Sequence, residues 1–211
     1  KKTVLSCDEE TKEIVLNYIS RFEEEDLLMV GSANSVADID KEILAPGRFD
    51  VVIPVFPPNS RERSEMILYF MTENLAKDAL LMKILTANNA DHLPFWEDIS
   101  SKMKVFSSTM IVDFTQSLKK RIRNQYLKDN SENIKIDSKL LNAARRDASA
   151  KLTEEYLNQV AQFIDDVSLN NYDDFPKRIA ALKIELESYK VVETLRKTIG
   201  FQTKTDEKIN K

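Results

Sequence analysis

The run Leu27-Leu28-Met29-Val30-Gly31-Ser32-Ala33-Asn34-Ser35-Val36-Ala37-Asp38-Ile39-Asp40-Lys41-Glu42-Ile43-Leu44-Ala45-Pro46-Gly47-Arg48-Phe49-Asp50-Val51-Val52-Ile53-Pro54-Val55 decides the fold. Its first four residues are continuously apolar and stop at a glycine, the pattern of a short strand covered on both faces of a parallel sheet. The polar stretch 32–40 reads as a loop, and 39–44 holds room for one helical turn before Pro46-Gly47 ends it. Val51-Val52-Ile53-Pro54-Val55 is β-branched and reads as a second strand, with Pro54 placing it at a strand end or sheet edge.

Outward from this run the chain is helical. On the N-terminal side, Val15, Tyr18, Ile19 and Phe22 recur at i, i+3, i+4 and i+7 with Ile14 beside them, predicting a helix over 8–24. On the C-terminal side, Asn59 followed by Glu62 has the form of a capping box. Met66, Ile67, Phe70 and Met71 then give the helix an apolar face. Further helices are predicted over 77–85, 95–103, 107–127 (stripe Ile111, Phe114, Leu118, Ile122) and 138–148, with a short extended piece at Ile134-Lys135-Ile136. Leu152, Tyr156, Val160, Phe163 and Val167 mark another amphipathic helix, and Ile179, Leu182, Leu186, Tyr189, Val192, Leu195 and Ile199 a last one. The expected organisation is therefore an α/β portion over 1–58, a helical portion over 59–150, and a helical extension over 151–211, mostly α overall. Two strands make no stable sheet alone, so the α/β portion reads as the edge of a larger sheet.

Composition removes several function classes. Cys7 and His92 are the only cysteine and histidine, which excludes an internal disulfide and a Cys/His zinc cluster, and leaves a Ser-His or Cys-His nucleophile only a loop histidine to use. The single cysteine points to a reducing compartment such as the cytoplasm. A net charge of −4 gives no reason to expect nucleic acid as a partner, and the basic run Lys119-Lys120-Arg121 with Arg123 reads as a solvated helix face. No apolar run is long enough to span a bilayer. Of the three glycines, Gly31, Gly47 and Gly200, none precedes a lysine as in Gly-x-x-x-x-Gly-Lys-Ser/Thr, so the chain contains no P-loop.

From Met29 to Asp50 the order and spacing of residues resembles the second region of homology of AAA-family ATPases: a strand ending in Ala33-Asn34, then Ile39-Asp40, a short helix, and Ala45-Pro46-Gly47-Arg48-Phe49-Asp50 leading to another strand. Met66-Ile67-Leu68 after Pro57-Pro58-Asn59 is similar to the first helix of that family's lid, and Phe106-Ser107-Ser108-Thr109-Met110-Ile111 to the start of its third. The resemblance runs from about residue 10 to about residue 165, and implies the end of an AAA+ P-loop NTPase core followed by an all-α lid. It implies ATP with Mg²⁺ as cofactor, Asn34 as the sensor that orients the attacking water, and Arg48 as a guanidinium reaching a neighbouring subunit's γ-phosphate. It implies that Met71 lies near the ribose and Ser108 and Thr109 near the adenine, with no metal ligand in this chain. It further implies a homo- or hetero-oligomeric ring, expected to be a hexamer, that remodels a protein substrate.

The chain also departs from the pattern. Ala45 occupies the position of the first of the family's two arginines, and an insertion falls around 78–93. Val4-Leu5-Ser6-Cys7-Asp8-Glu9 is a faint version of the strand that ends in Asp-Glu, with Asp8 as a helix N-cap the better reading. The expectation is thus that the nucleotide's main binding elements precede Lys1 in a longer chain. The alternative is a non-catalytic AAA-like structural or adaptor subunit. Asn34 as a plain loop residue, and Arg48 paired on the surface with Asp40 or Asp50, are the corresponding bland readings.

Overall fold

A computed structural model describes residues 51–169 and 175–198, with side chains through Tyr189, and before them 13, 14, 16–19, 30–33, 35, 39, 42–45, 48 and 49. The described residues are mostly helical and contain no strand. The chain divides into two compact units, residues 1–55 with 162–174, and residues 56–161 with 175–211.

The second unit is an all-helical assembly. Helix α1 (Ser60–Thr72) opens with the capping box the sequence announces: Glu62 N–H donates to Asn59 Oδ1 at 3.0 Å, and Asn59 N–H donates to Glu62 Oε2 at 2.9 Å. Helices α2 (Leu80–Ala87) and α3 (Pro94–Ser101) follow, the latter with proline in its first turn, where no N–H is needed. Helix α4 (Ser108–Asp129) is capped by Ser107, which accepts from Met110 N–H at 3.3 Å, and ends at Asn130 in the left-handed region, φ 46°. Asp137 caps α5 (Ser138–Ala148), accepting from Leu140 N–H at 2.8 Å. Helix α6 (Glu154–Leu169) contributes to both units, and α7 (Pro176–Thr198) to the second.

Helix α1 packs on α3 and α4, and α4 packs on α5. Their core holds the α4 stripe Ile111, Phe114, Leu118 and Ile122 against Ile67, Met71, Leu85, Trp96, Phe106 and Ala144. Burying such side chains contributes roughly 1.5–3 kcal/mol each. Trp96 Nε1 finds an acceptor in Ala90 O at 3.0 Å, so its burial leaves no donor unpaired. The extended piece at Ile134 and Ile136 buries both isoleucines and leaves Lys135 exposed. Its ladder partner is one side chain: Asn88 Nδ2 donates to Ile134 O at 2.8 Å, and Ile136 N–H donates to Asn88 Oδ1 at 2.9 Å.

In the first unit, residues 13, 14 and 16–19 are helical, with Ile19 buried. Ile14 and Tyr18, expected on the same apolar stripe, are exposed. Leu27, Leu28 and Met29 lie outside the described residues, and Val30 is exposed and non-helical. The expected second strand is corrected outright: 51–55 is irregular, with Val51, Ile53 and Val55 each at least 74% exposed. β-Branched side chains favour extended backbone, but a strand exists only through a neighbour's ladder, and Pro54 has no N–H to give one.

Candidate functional site

An open groove of about 420 Å³ runs along α1 in the second unit. Five α1 residues line it: Glu62, Glu65, Met66, Tyr69 and Phe70. Their spacing, i, i+3, i+4, i+7 and i+8, is that of one helical face. The opposite face, Arg63, Ser64, Ile67 and Met71, is buried. Sequence reading had merged Met66, Ile67, Phe70 and Met71 into one apolar face; the structure splits them between groove and core. The glutamates at 62 and 65 carried the missing signal, because they place a polar edge beside Met66 and Phe70.

The other walls are Phe56 and Pro58, from the segment before α1, and Ser108, the first residue of α4. Thr109 is exposed one residue further and does not line the groove. Met71, expected near a ribose, is fully buried in the core, and its neighbour Phe70 lines the groove. Lys119 caps the region from behind, donating from Nζ to Phe70 O at 2.5 Å. Asn34 lies outside the described residues. Arg48 is half-buried in the first unit, where its Nη1 donates to the Glu42 carbonyl. Asp40 and Asp50, its other expected partners, lie outside the described residues. Of the expected site residues, Ser108 lines the groove.

Helix α7 holds one wall. Arg178 makes two bonds to Glu62, Nη1 to Oε1 at 2.6 Å and Nη2 to Oε2 at 2.5 Å, and its guanidinium lies 5.2 Å from the Phe56 ring centre. Phe175 packs on Phe56 with ring centres 5.5 Å apart. The Arg178 hydrogen bond holds the Glu62 carboxyl below its ordinary range, outweighing the opposing effect of partial burial; the Asn59 N–H adds to it.

Beneath the groove sits a buried polar hub. Arg63 is fully buried, and every nitrogen of its guanidinium is used. Nε donates to Ser100 O at 3.0 Å, Nη1 to Pro58 O at 2.8 Å and Glu185 Oε2 at 3.0 Å, and Nη2 to Glu185 Oε1 at 2.7 Å. Glu185 Oε2 also accepts from Val105 N–H at 2.7 Å. Val105 is buried with φ 59°, a conformation that costs a β-branched residue on the order of 1–3 kcal/mol. Its carbonyl accepts from Tyr156 Oη at 2.8 Å, and the Lys104 carbonyl from Tyr189 Oη at 2.8 Å. Burial pushes the Tyr156 phenol up to about 12, against the hydrogen bond it shares with Ser107. None of the sequence patterns marked Arg63 or Glu185, because a buried ion pair between two helices leaves no local periodicity.

Compared with models of protein families, with curated proteins and with solved structures, the chain matches none. Among the described residues no three His, Cys, Asp or Glu side chains are placed to hold a metal ion, and no helix is long and apolar enough to cross a membrane.

Proposed function

We propose that this chain is part of an AAA-family ATPase that couples ATP hydrolysis to remodelling of a protein or assembly, with the groove on α1 taking the nucleotide's base. The run Met29 to Asp50 carries the reading, since more than twenty consecutive positions keep the order of that family's motif. The groove adds support: Met66 and Phe70 one helical turn apart, with Ser108 opposite, form an aromatic and apolar slot that suits a planar heterocycle. Its chemistry fits a purine and not a triphosphate. Glu62 and Glu65 stand on its rim as acceptors for an amino group, and no lysine or arginine is among its lining residues. With no P-loop in the chain, phosphates and Mg²⁺ would be held by residues that precede Lys1. Asn34 would orient water in the same subunit and Arg48 would serve a neighbour in a ring.

A second reading is favoured by Ala45, which stands where the family's first arginine would be and supplies no charge. On that reading the same scaffold is a non-catalytic structural or adaptor subunit.

Two measurements decide. The 211-residue chain is expected to bind adenosine weakly and lose that binding in Ser108→Trp, which fills the slot, and to hydrolyse no ATP. The gene upstream of Lys1 is expected to encode Gly-x-x-x-x-Gly-Lys-Ser/Thr and an apolar strand ending in Asp-Glu. Adenosine binding that Ser108→Trp leaves untouched removes the groove from the reading. Absence of the upstream motifs replaces the enzyme with the adaptor.

A further inference from the structure

Helix α7 buries Leu182 and Leu186 and, two turns apart, uses polar side chains on a wall of the groove and on the turn before α4. Arg178 in its first turn and Phe175 just before it hold the Phe56 and Glu62 wall. Two turns later, Glu185 and Tyr189, at i and i+4 on one face, grip a single peptide unit from both sides: Tyr189 donates to the Lys104 carbonyl and Glu185 accepts from the Val105 N–H of the same amide. Val105 is the strained residue, and Ser107, two positions on, is the cap that starts α4 and sets Ser108 on the opposite wall of the groove. A β-branched residue leaves φ near +60° unless its surroundings hold it there.

We propose that α7 is a positioning clasp for the groove: Arg178 fixes one wall and Glu185 with Tyr189 fixes the turn that carries the other, so that the groove is competent only while α7 is seated. The charges are arranged to make the seat specific. Consecutive α1 residues are negative then positive, Glu62 and Arg63, and their α7 partners are positive then negative, Arg178 and Glu185. Reversing the direction of α7 would set like charges against each other, so the clasp has one register. The element that releases or seats α7 thereby controls ligand affinity without touching the ligand. This last clause rests on the groove as the place where a base binds; the clasp itself does not.

The test is site-specific amide exchange on the whole chain. Glu185→Ala, which removes the acceptor, is expected to speed exchange at the Val105 amide at least tenfold, and at Met110, whose N–H bonds the Ser107 cap, several-fold. Exchange at Ile122, in the same helix but distant from the turn, should stay within about twofold. Equal acceleration at Val105 and Ile122 would show loss of global stability only and overturn the clasp, as would an unchanged Val105. Should Glu185→Ala fail to fold, Tyr189→Phe removes one bond to the same peptide and should accelerate Val105 several-fold, with no acceleration overturning the clasp. Adenosine, used as the groove probe, should bind Arg178→Gln at least fivefold more weakly than the unaltered chain. Affinity within twofold, with exchange at Val105 altered in Glu185→Ala, would limit α7 to structure and overturn its control of the groove. If the unaltered chain binds no adenosine, the base-binding reading fails while the exchange result still decides the clasp.

Discussion

At the scale of single residues, two arginines of α1 show how burial decides what a charge is worth. Arg61 and Glu65 form an exposed i, i+4 pair at 3.0 Å, with 83% and 50% of the side chains accessible. Such pairs contribute about 0.3–0.5 kcal/mol. Arg63, two residues on, has 1% of its side chain accessible and its partner Glu185 21%. Breaking a buried pair by removing one member costs about 3–5 kcal/mol, because the other charge is left in a poor solvent. Arg63→Ala is therefore expected to lower unfolding free energy by about that amount in urea titration, while Arg61→Ala changes it by less than about 0.5 kcal/mol. Equal costs would mean that the hub is wet. Glu62 supplies a pH dependence. Its folded pKa lies below the ordinary 4.5, so the ionised form favours the folded chain. That contribution is complete above pH 4.5 and is lost as pH falls through the lower folded value. Glu62→Gln keeps the capping-box acceptor and removes the charge. The stability gap between the two proteins should be constant from pH 7 to about 5 and narrow below it. A gap that stays open at pH 3 would assign it to something other than ionisation.

At the scale of elements, what the sequence made legible is what a segment decides by itself. The capping box at Asn59 and Glu62, the start of α4 at Ser107 and the stripe Ile111, Phe114, Leu118 and Ile122 all rest on contacts within a helix or on its one apolar face, and the structure has them. The second strand was misread because Val51, Val52, Ile53 and Val55 carry a preference that only a neighbouring ladder can realise, and 51–55 has none among the described residues. Tyr18 and Ile14 were misplaced for a related reason: periodicity gives a face, and what covers that face is a tertiary matter. The groove was half legible. Ser108 lines it, whereas Met71, one residue beyond Phe70 and so turned by about 100°, lies in the core. Asn88 is the converse case, an element partner that no pattern announces. Its amide bonds Ile84 O, Ile134 O and Ile136 N–H, and so substitutes for a strand. Asn88→Ala leaves the last two groups without partners beside buried isoleucines, at a cost of roughly 1–3 kcal/mol each. Amide exchange at Ile136 should accelerate by more than tenfold relative to Leu118; parity between them would show that the bond is not kept in solution.

At the scale of the whole molecule, the run that carries the functional reading falls in the first unit, and the groove along α1 falls in the second. Arg48 is the point where that reading can be examined. Within its own loop the guanidinium holds the Glu42 carbonyl, a role worth about 1 kcal/mol at a half-buried site. In a ring it would exchange that carbonyl for a neighbour's γ-phosphate, and stabilising charge there is worth about 10³–10⁵ in turnover. The two roles predict different things of Arg48→Ala in the assembled protein. A loop-closing arginine gives a slightly less stable protein with turnover changed by no more than a few-fold. A trans-acting arginine gives normal ATP binding, a normal assembly on sizing, and turnover reduced by about a thousandfold or more. Because the effect is exerted across an interface, mixing Arg48→Ala subunits with subunits unable to bind ATP should restore part of the turnover, each unaltered arginine serving the unaltered site next to it. Failure of mixing to restore any turnover, with both subunits shown to co-assemble, would confine Arg48 to its loop and, with Ala45 already uncharged, leave the scaffold reading as the better account of this chain.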